Sequence, residues 1–199
     1  MIFIIILSGL LVGFFLNIFV NQISYSISED KSTNKNTRIL IMFLSVFLFL
    51  ISYWRFGLKI VFFKAVILIS VLIVISFVDL KHKIIPNFMV IITLVTGILF
   101  LMARDISLTS AVLGMLIGGG LLFLLALIPG AMGGGDIKFM FALGAFLGLN
   151  KTLWALLLAF IVAAVISIFL LIFRIKERRD VIPFGPFLAL GSLISFLII

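Results

Sequence analysis

The chain has no cysteine, a single histidine, four prolines and only seven acidic side chains in 199 residues. Without cysteine there are no disulfides and no thiolate metal sites, and one histidine, His82, does not build a histidine-ligated zinc centre. Charge of either sign is scarce. Charged residues make up 11% of the chain and hydrophobic ones 65%, a balance outside the soluble globular class. The formal net charge is +8, yet the basic residues gather beside apolar runs, where they report membrane topology. No nucleic-acid partner is expected.

What the sequence does have is long hydrophobic stretches. A bilayer core of about 30 Å needs roughly 20 apolar residues to cross it as helix. Candidate spans fall near 2–23, 39–53, 60–78, 87–102, 108–128, 137–149, 152–173 and 184–199. The 137–149 piece would reach only about 20 Å at 1.5 Å per residue. The first run lacks a basic leader and a small-residue cleavage site, so it reads as a span and not a signal peptide. The expected fold is an all-α polytopic transmembrane bundle of about eight spans, forming a single membrane-embedded domain over 1–199. Membrane lipid surrounds it.

Orientation follows from the connections. With the N-terminus outside, the cytoplasmic segments hold Lys31, Lys35, Arg38, Lys81, Lys83, Lys138, Arg174, Lys176, Arg178 and Arg179. The other side holds Arg55, Lys59, Lys64, Arg104 and Lys151. The positive-inside bias therefore puts both termini outside the cytoplasm. Residues 24–38, "SYSISEDKSTNKNTR", read as a short solvated cytoplasmic loop.

Five of the acids, Glu29, Asp30, Asp105, Glu177 and Asp180, read as solvated charges in connections. Asp79 and Asp136 do not. Asp79 ends an apolar run in "VISFVDLKHKIIPN", and Asp136 begins one in "MGGGDIKFMFALGAFLG". A carboxylate at membrane depth is costly and is a functional candidate by default. Gly133, Gly134 and Gly135 admit positive φ and close approach of another backbone. Asp136 at a helix start is favoured in its ionised form by the dipole, whereas Asp79 at a helix end is not. That asymmetry suits a pair in which one carboxyl holds a proton and the other does not, as in an aspartic-protease dyad.

At these residues the chain resembles a known family. "GGGD" fits the GxGD signature of intramembrane aspartyl proteases, and the wider segment resembles type IV prepilin peptidases. "DLKHKIIPN" is similar to that family's first aspartate with its basic stretch and Ile-Pro-Asn. "GLLVGFFLNIFV" at 9–20 and "IPFGPFLALGSLI" at 182–194 resemble its N- and C-terminal elements. The resemblance implies catalytic Asp79 and Asp136 and a prepilin or pseudopilin substrate of a type IV pilus or type II secretion system. It implies leader cleavage at the cytoplasmic face of the bacterial inner membrane. Gly133, Gly134, Gly135, Lys138, Pro86 and Asn87 would bind substrate or support the site. No cofactor is implied for peptide hydrolysis. Many members carry a larger first loop with two CxxC pairs, thought to bind zinc, and methylate the new N-terminus with S-adenosylmethionine. Here that loop shrinks to about 24–38 without cysteine, so zinc is not expected there. S-adenosylmethionine is implied only if methylation is retained.

Other residues have plainer readings. His82 in "KHK", three residues after Asp79, reads as a headgroup-facing basic residue, with contact to the two aspartates as the alternative, and Pro86 opens the next helix. Asn17 makes an interhelical hydrogen bond, while Gly114, Gly118 to Gly120, Gly144 and Gly148 make small-residue packing surfaces. Two rival functions stand beside the peptidase. One is an ion-coupled transporter with the two aspartates as coupling sites. The other is a presenilin-like protease, whose first aspartate would follow a tyrosine; here Val78 precedes Asp79.

Overall fold

A computed structural model describes residues 1–28, 34–103, 106–175 and 182–199. Every regular element among them is a helix: α1 Ile2–Ser28, α2 Lys35–Phe56, α3 Ile60–His82, α4 Asn87–Met102, α5 Leu108–Ala126, α6 Gly134–Leu147, α7 Leu149–Ile172 and α8 Gly185–Ile198. By length and composition α1, α2, α3, α5 and α7 suffice to cross a membrane, and α4 and α8 are shorter apolar helices. The chain is thus a polytopic helical membrane protein. Its exposed residues include many large hydrophobics such as Phe3, Trp54, Val165 and Ile172, as lipid demands.

Backbone contacts divide the chain into two compact units, Met1–His82 and Lys83–Ile199. In the first, α1, α2 and α3 all pack on one another. Gly9 and Gly13 of α1 let α2 come close: side chains there would stand 2.8 Å from the Cα of Val46 and 2.9 Å from that of Met42. Asn17, one turn further, donates from Nδ2 to the carbonyl of Arg38 at 3.0 Å, the interhelical bond expected for it.

The sequence reading needs correction at two places in this unit. Ser24–Ser28 belongs to α1 and Lys35–Arg38 to α2, so both ends of the polar segment are helical. It contains neither proline nor glycine to stop a helix, and Ser28 Oγ donates back to the carbonyl of Ser24 at 3.2 Å. Lys64, counted with the nearby connection although it falls in the candidate span 60–78, is 2% exposed within α3. Glu29, Asp30, Asp105, Glu177 and Asp180 lie outside the described residues, as do Lys31, Arg104, Lys176, Arg178 and Arg179.

In the second unit α6 is the core. Ala142 to Leu147 are all buried, with α4, α5, α7 and α8 each touching it. Close approach depends on missing side chains. Gly97 of α4 faces the backbone of Phe146, and Gly144 of α6 lies directly on the backbone of Gly114 and Met115 in α5. Gly191 of α8 lies as directly on the carbonyl of Ala155 in α7. Gly148, at φ 76°, is a one-residue break between α6 and α7. There the N–H of Leu149 donates to Ser110 Oγ at 2.9 Å. The first N–H groups of a helix have no partner within it, and Ser110 supplies one here.

The start of α7 and the end of α8 are clasped by Lys151. Its Nζ donates to the carbonyl of Phe196 at 3.4 Å and stands 4.9 Å from the centre of that ring, and Ser195 Oγ donates to the Lys151 carbonyl at 2.7 Å. A cation at exposed carbonyls of a helix end is favourable, as is one over an aromatic face. Lys151→Met, which keeps the stem but removes the ammonium, is expected to cost about 1 kcal/mol and lower the melting temperature in detergent. An unchanged melting temperature would show the clasp to be idle.

Candidate active site

Asp79 and Asp136 are the only acidic residues among those described, and both are buried, at 5% and 8% exposure. Asp79 lies in the last turn of α3, in the first unit. Lys81 and His82 follow it in that turn, and Lys83 ends the helix with a left-handed φ of 56°. The two lysines complement the negative end of the helix dipole. His82 is half-buried while Lys81 and Lys83 are exposed.

Asp136 lies in the second unit, in the first turn of α6. Gly133 is the N-cap, with φ −80° and ψ 144°, and its carbonyl accepts from the N–H of Asp136 at 3.1 Å and of Ile137 at 3.4 Å. A carboxylate three residues past the cap sits where the dipole and the free N–H groups favour its charge.

The three glycines do different things, and none uses positive φ; in this chain the glycines with that conformation are Gly57, Gly130 and Gly148. Gly134 and Gly135 are ordinary first-turn helical residues. Steric space is what glycine provides. A methyl at Gly133 would lie 2.9 Å from Asp136 Oδ2, and one at Gly135 would lie 3.1 Å from Ile85 Cβ. At Gly134 nothing stands within 4 Å, so that segment is open to an approaching chain.

This contrast makes a test. Gly133→Ala suits the backbone angles but crowds the carboxylate, whereas Gly134→Ala meets nothing. We expect Gly133→Ala to lower the turnover proposed below by about tenfold or more, corresponding to about 1.4 kcal/mol, at unchanged melting temperature. Gly134→Ala should retain it. Equal behaviour of the two variants would remove Gly133 from the site.

Pro86 is the N-cap of α4, one position earlier than the first helical turn expected for it, and its carbonyl accepts from Met89 and Val90. Asn87 opens α4 and takes a hydrogen bond through Oδ1 from Lys138 Nζ at 3.3 Å. The structure thus brings Asn87 and Lys138 together, linking the start of α4 to the first turn of α6.

The profile of the type IV leader peptidase family matches residues 66–168, a segment holding both aspartates. The chain is similar to the prepilin leader peptidase/N-methyltransferase of Xanthomonas campestris, 32% identical over 165 residues, covering 79% of this chain and 57% of that protein. The enzyme of that name from Aeromonas hydrophila is 36% identical over 140 residues, covering 67% and 48%. That of Bacillus subtilis is 32% identical over 148 residues, covering 72% and 58%. The chain spans about half the length of the curated relatives it matches. No solved structure matches it. With an apolar helical fold, a GxGD segment opening α6 and a family profile that covers just over half its length, the chain belongs to the type IV leader peptidase family.

Proposed function

We propose that the chain is a membrane aspartic endopeptidase that removes the short basic leader from prepilins or pseudopilins at the cytoplasmic face of the bacterial inner membrane. The observation that carries this reading is the burial of Asp79 and Asp136, each at a helix end in a family-matching segment, in a chain that otherwise keeps acids out of its described core. Burying a carboxylate is costly, and a group kept there at that cost is a functional candidate.

In this mechanism the ionised carboxylate takes a proton from water. The water oxygen attacks the scissile carbonyl carbon, and the other carboxyl gives its proton to the carbonyl oxygen. Collapse of the tetrahedral adduct breaks the C–N bond, and the leaving amine takes up a proton from the pair. Asp136, at the positive end of α6, is the member assigned the resting charge. Gly134 leaves room for the extended substrate segment, and Asn87 with Lys138 supports the first turn of α6. The methylation named for the relatives requires S-adenosylmethionine, and the described residues give no separate argument for it.

Mass spectrometry of a prepilin co-expressed with this chain tests the reading. Loss of the leader mass is the expected result, and a further 14 Da (the mass of one added methylene) would report methylation. An uncut prepilin beside folded, membrane-inserted enzyme would defeat the proposal. Ion-driven flux, the transporter alternative, gains no support from the family match.

A further inference from the structure

Within the second unit a groove of about 680 Å³ runs between α4, α5 and α6. Val90 and Ile91 line one wall, Ile137 and Phe141 another, and Leu116 and Phe123 border the α5 side, with Gly119 and Gly120 between them. Ile91, Leu116 and Phe123 are each more than half exposed, so the groove opens sideways. Its polar groups, Asn87 and the ammonium of Lys138, are the pair already hydrogen-bonded to each other.

We infer that this groove seats the first two turns of the substrate's apolar helix, with Gly120 as the position that decides the fit. The inference rests on the peptidase reading and adds the surface that selects the substrate. Four observations support this occupant. The groove is continuous with the candidate site, since Ile137 and Lys138 are the two residues after Asp136. The charge at its polar end is positive, which repels a basic leader and admits the uncharged segment that follows it. The lining on α5 runs from Leu116 to Phe123, about 10 Å of helix rise, which matches two turns of a partner helix.

The fourth observation is Gly120 itself. Its neighbours Gly118 and Gly119 pack on Thr152, Met140 and Phe141, but a side chain at Gly120 would meet nothing within 4 Å. Glycine there serves no internal packing, contrary to the packing role expected from the sequence. A small residue facing outward, as Gly120 does, is what close approach of another helix uses; a flexible acyl chain has no need of it.

The experiment compares wild type with Gly120→Leu on a prepilin with an intact apolar helix, reconstituted in nanodiscs. The Cβ of leucine meets nothing within 4 Å, its outer carbons occupy the groove, and leucine raises helix propensity, so the melting temperature should not fall. KM should rise at least tenfold with kcat within about threefold, a ΔΔG of about 1.4 kcal/mol in substrate binding. As a readout independent of that variant, Leu116 is replaced by a photoreactive benzophenone amino acid in an Asp136→Asn background, with Val165 on α7 as the control position. Crosslinking to the first two turns of the prepilin helix from position 116 and not from 165 is expected. Adducts only with lipid, or only with a second copy of this chain, would overturn the inference, as would an unchanged KM in Gly120→Leu. A wild-type enzyme that leaves the prepilin uncut would sink the peptidase reading instead, so the two failures are distinct.

Discussion

Asp79→Asn and Asp136→Asn, made separately, should each reduce prepilin cleavage by at least about a thousandfold, within the range that a positioned acid or base contributes. Asparagine matches aspartate in size and keeps a hydrogen-bonding oxygen but neither carries the charge nor gives up a proton at neutral pH. Both side chains are buried, and the substitution removes a buried ionisable group without opening a cavity, so folding should persist. The measurement is single-turnover cleavage of purified prepilin, with the melting temperature of each variant as the control for structure. The proposed mechanism has one carboxyl ionised and the other protonated, and it therefore expects the wild-type rate to fall on both the acid and the alkaline flank, with apparent pKa values that belong to the pair. Cleavage at the wild-type rate by either variant would remove that residue from catalysis. A profile flat through acid pH would argue against a shared proton.

Gly144→Ala should leave little folded protein. A methyl at Gly144 would fall onto the backbone carbonyl of Gly114 and the amide nitrogen of Met115. Backbone cannot rotate aside as a side chain does, so α5 and α6 must separate. The contact is central, because α6 carries Asp136 at one end and a fully buried run from Ala142 to Leu147 at the other. Overpacking a tight core typically costs about 1–3 kcal/mol when side chains can adjust, and here the loss should exceed that range. Gly120→Ala on the same face-lining helix is the control. It meets open space and should gain up to about 1 kcal/mol from helix propensity. Thermal unfolding of the two variants in detergent tests the pair. A Gly144→Ala protein that melts like wild type would mean the α5–α6 interface tolerates separation.

Most of the helical architecture could be read directly because apolar runs of membrane length have few other conformations open to them. The candidate spans at 60–78, 87–102 and 108–128 match α3, α4 and α5 to within a few residues. Errors arose where polar or breaker residues were helical. The tail of α1 through Ser28 alternates Ile23, Tyr25 and Ile27 with serines and breaks the apolar run, and α6 begins at Gly134 although glycine ordinarily marks a break. Lys64 falls in the candidate span 60–78 but is counted with the nearby connection for its charge, because its burial in α3 depends on packing. Among the site residues, the positions of Asp79 and Asp136 at helix ends were legible from where the apolar runs stop. The role of Gly133 was not, since the crowding between it and Asp136 Oδ2 arises from a side-chain rotamer. Nor was the groove, because Val90, Ile91, Leu116 and Phe141 are ordinary apolar residues until three helices bring them side by side. Glycines that look alike in "GMLIGGG" proved different: Gly114, Gly118 and Gly119 pack inward, and Gly120 faces out.

The break at Gly148 works as a datum from which the candidate catalytic group is measured. Twelve residues of continuous helix and first turn separate Asp136 from it, about 18 Å of rise, and Ser110 anchors the near end through the Leu149 amide. Inserting one residue in that interval would swing the carboxylate by about 100° and lift it by about 1.5 Å. The height and heading of Asp136 are therefore set from the far end of α6, and insertions or deletions between the two should be less tolerated than those in the polar stretch joining α1 to α2.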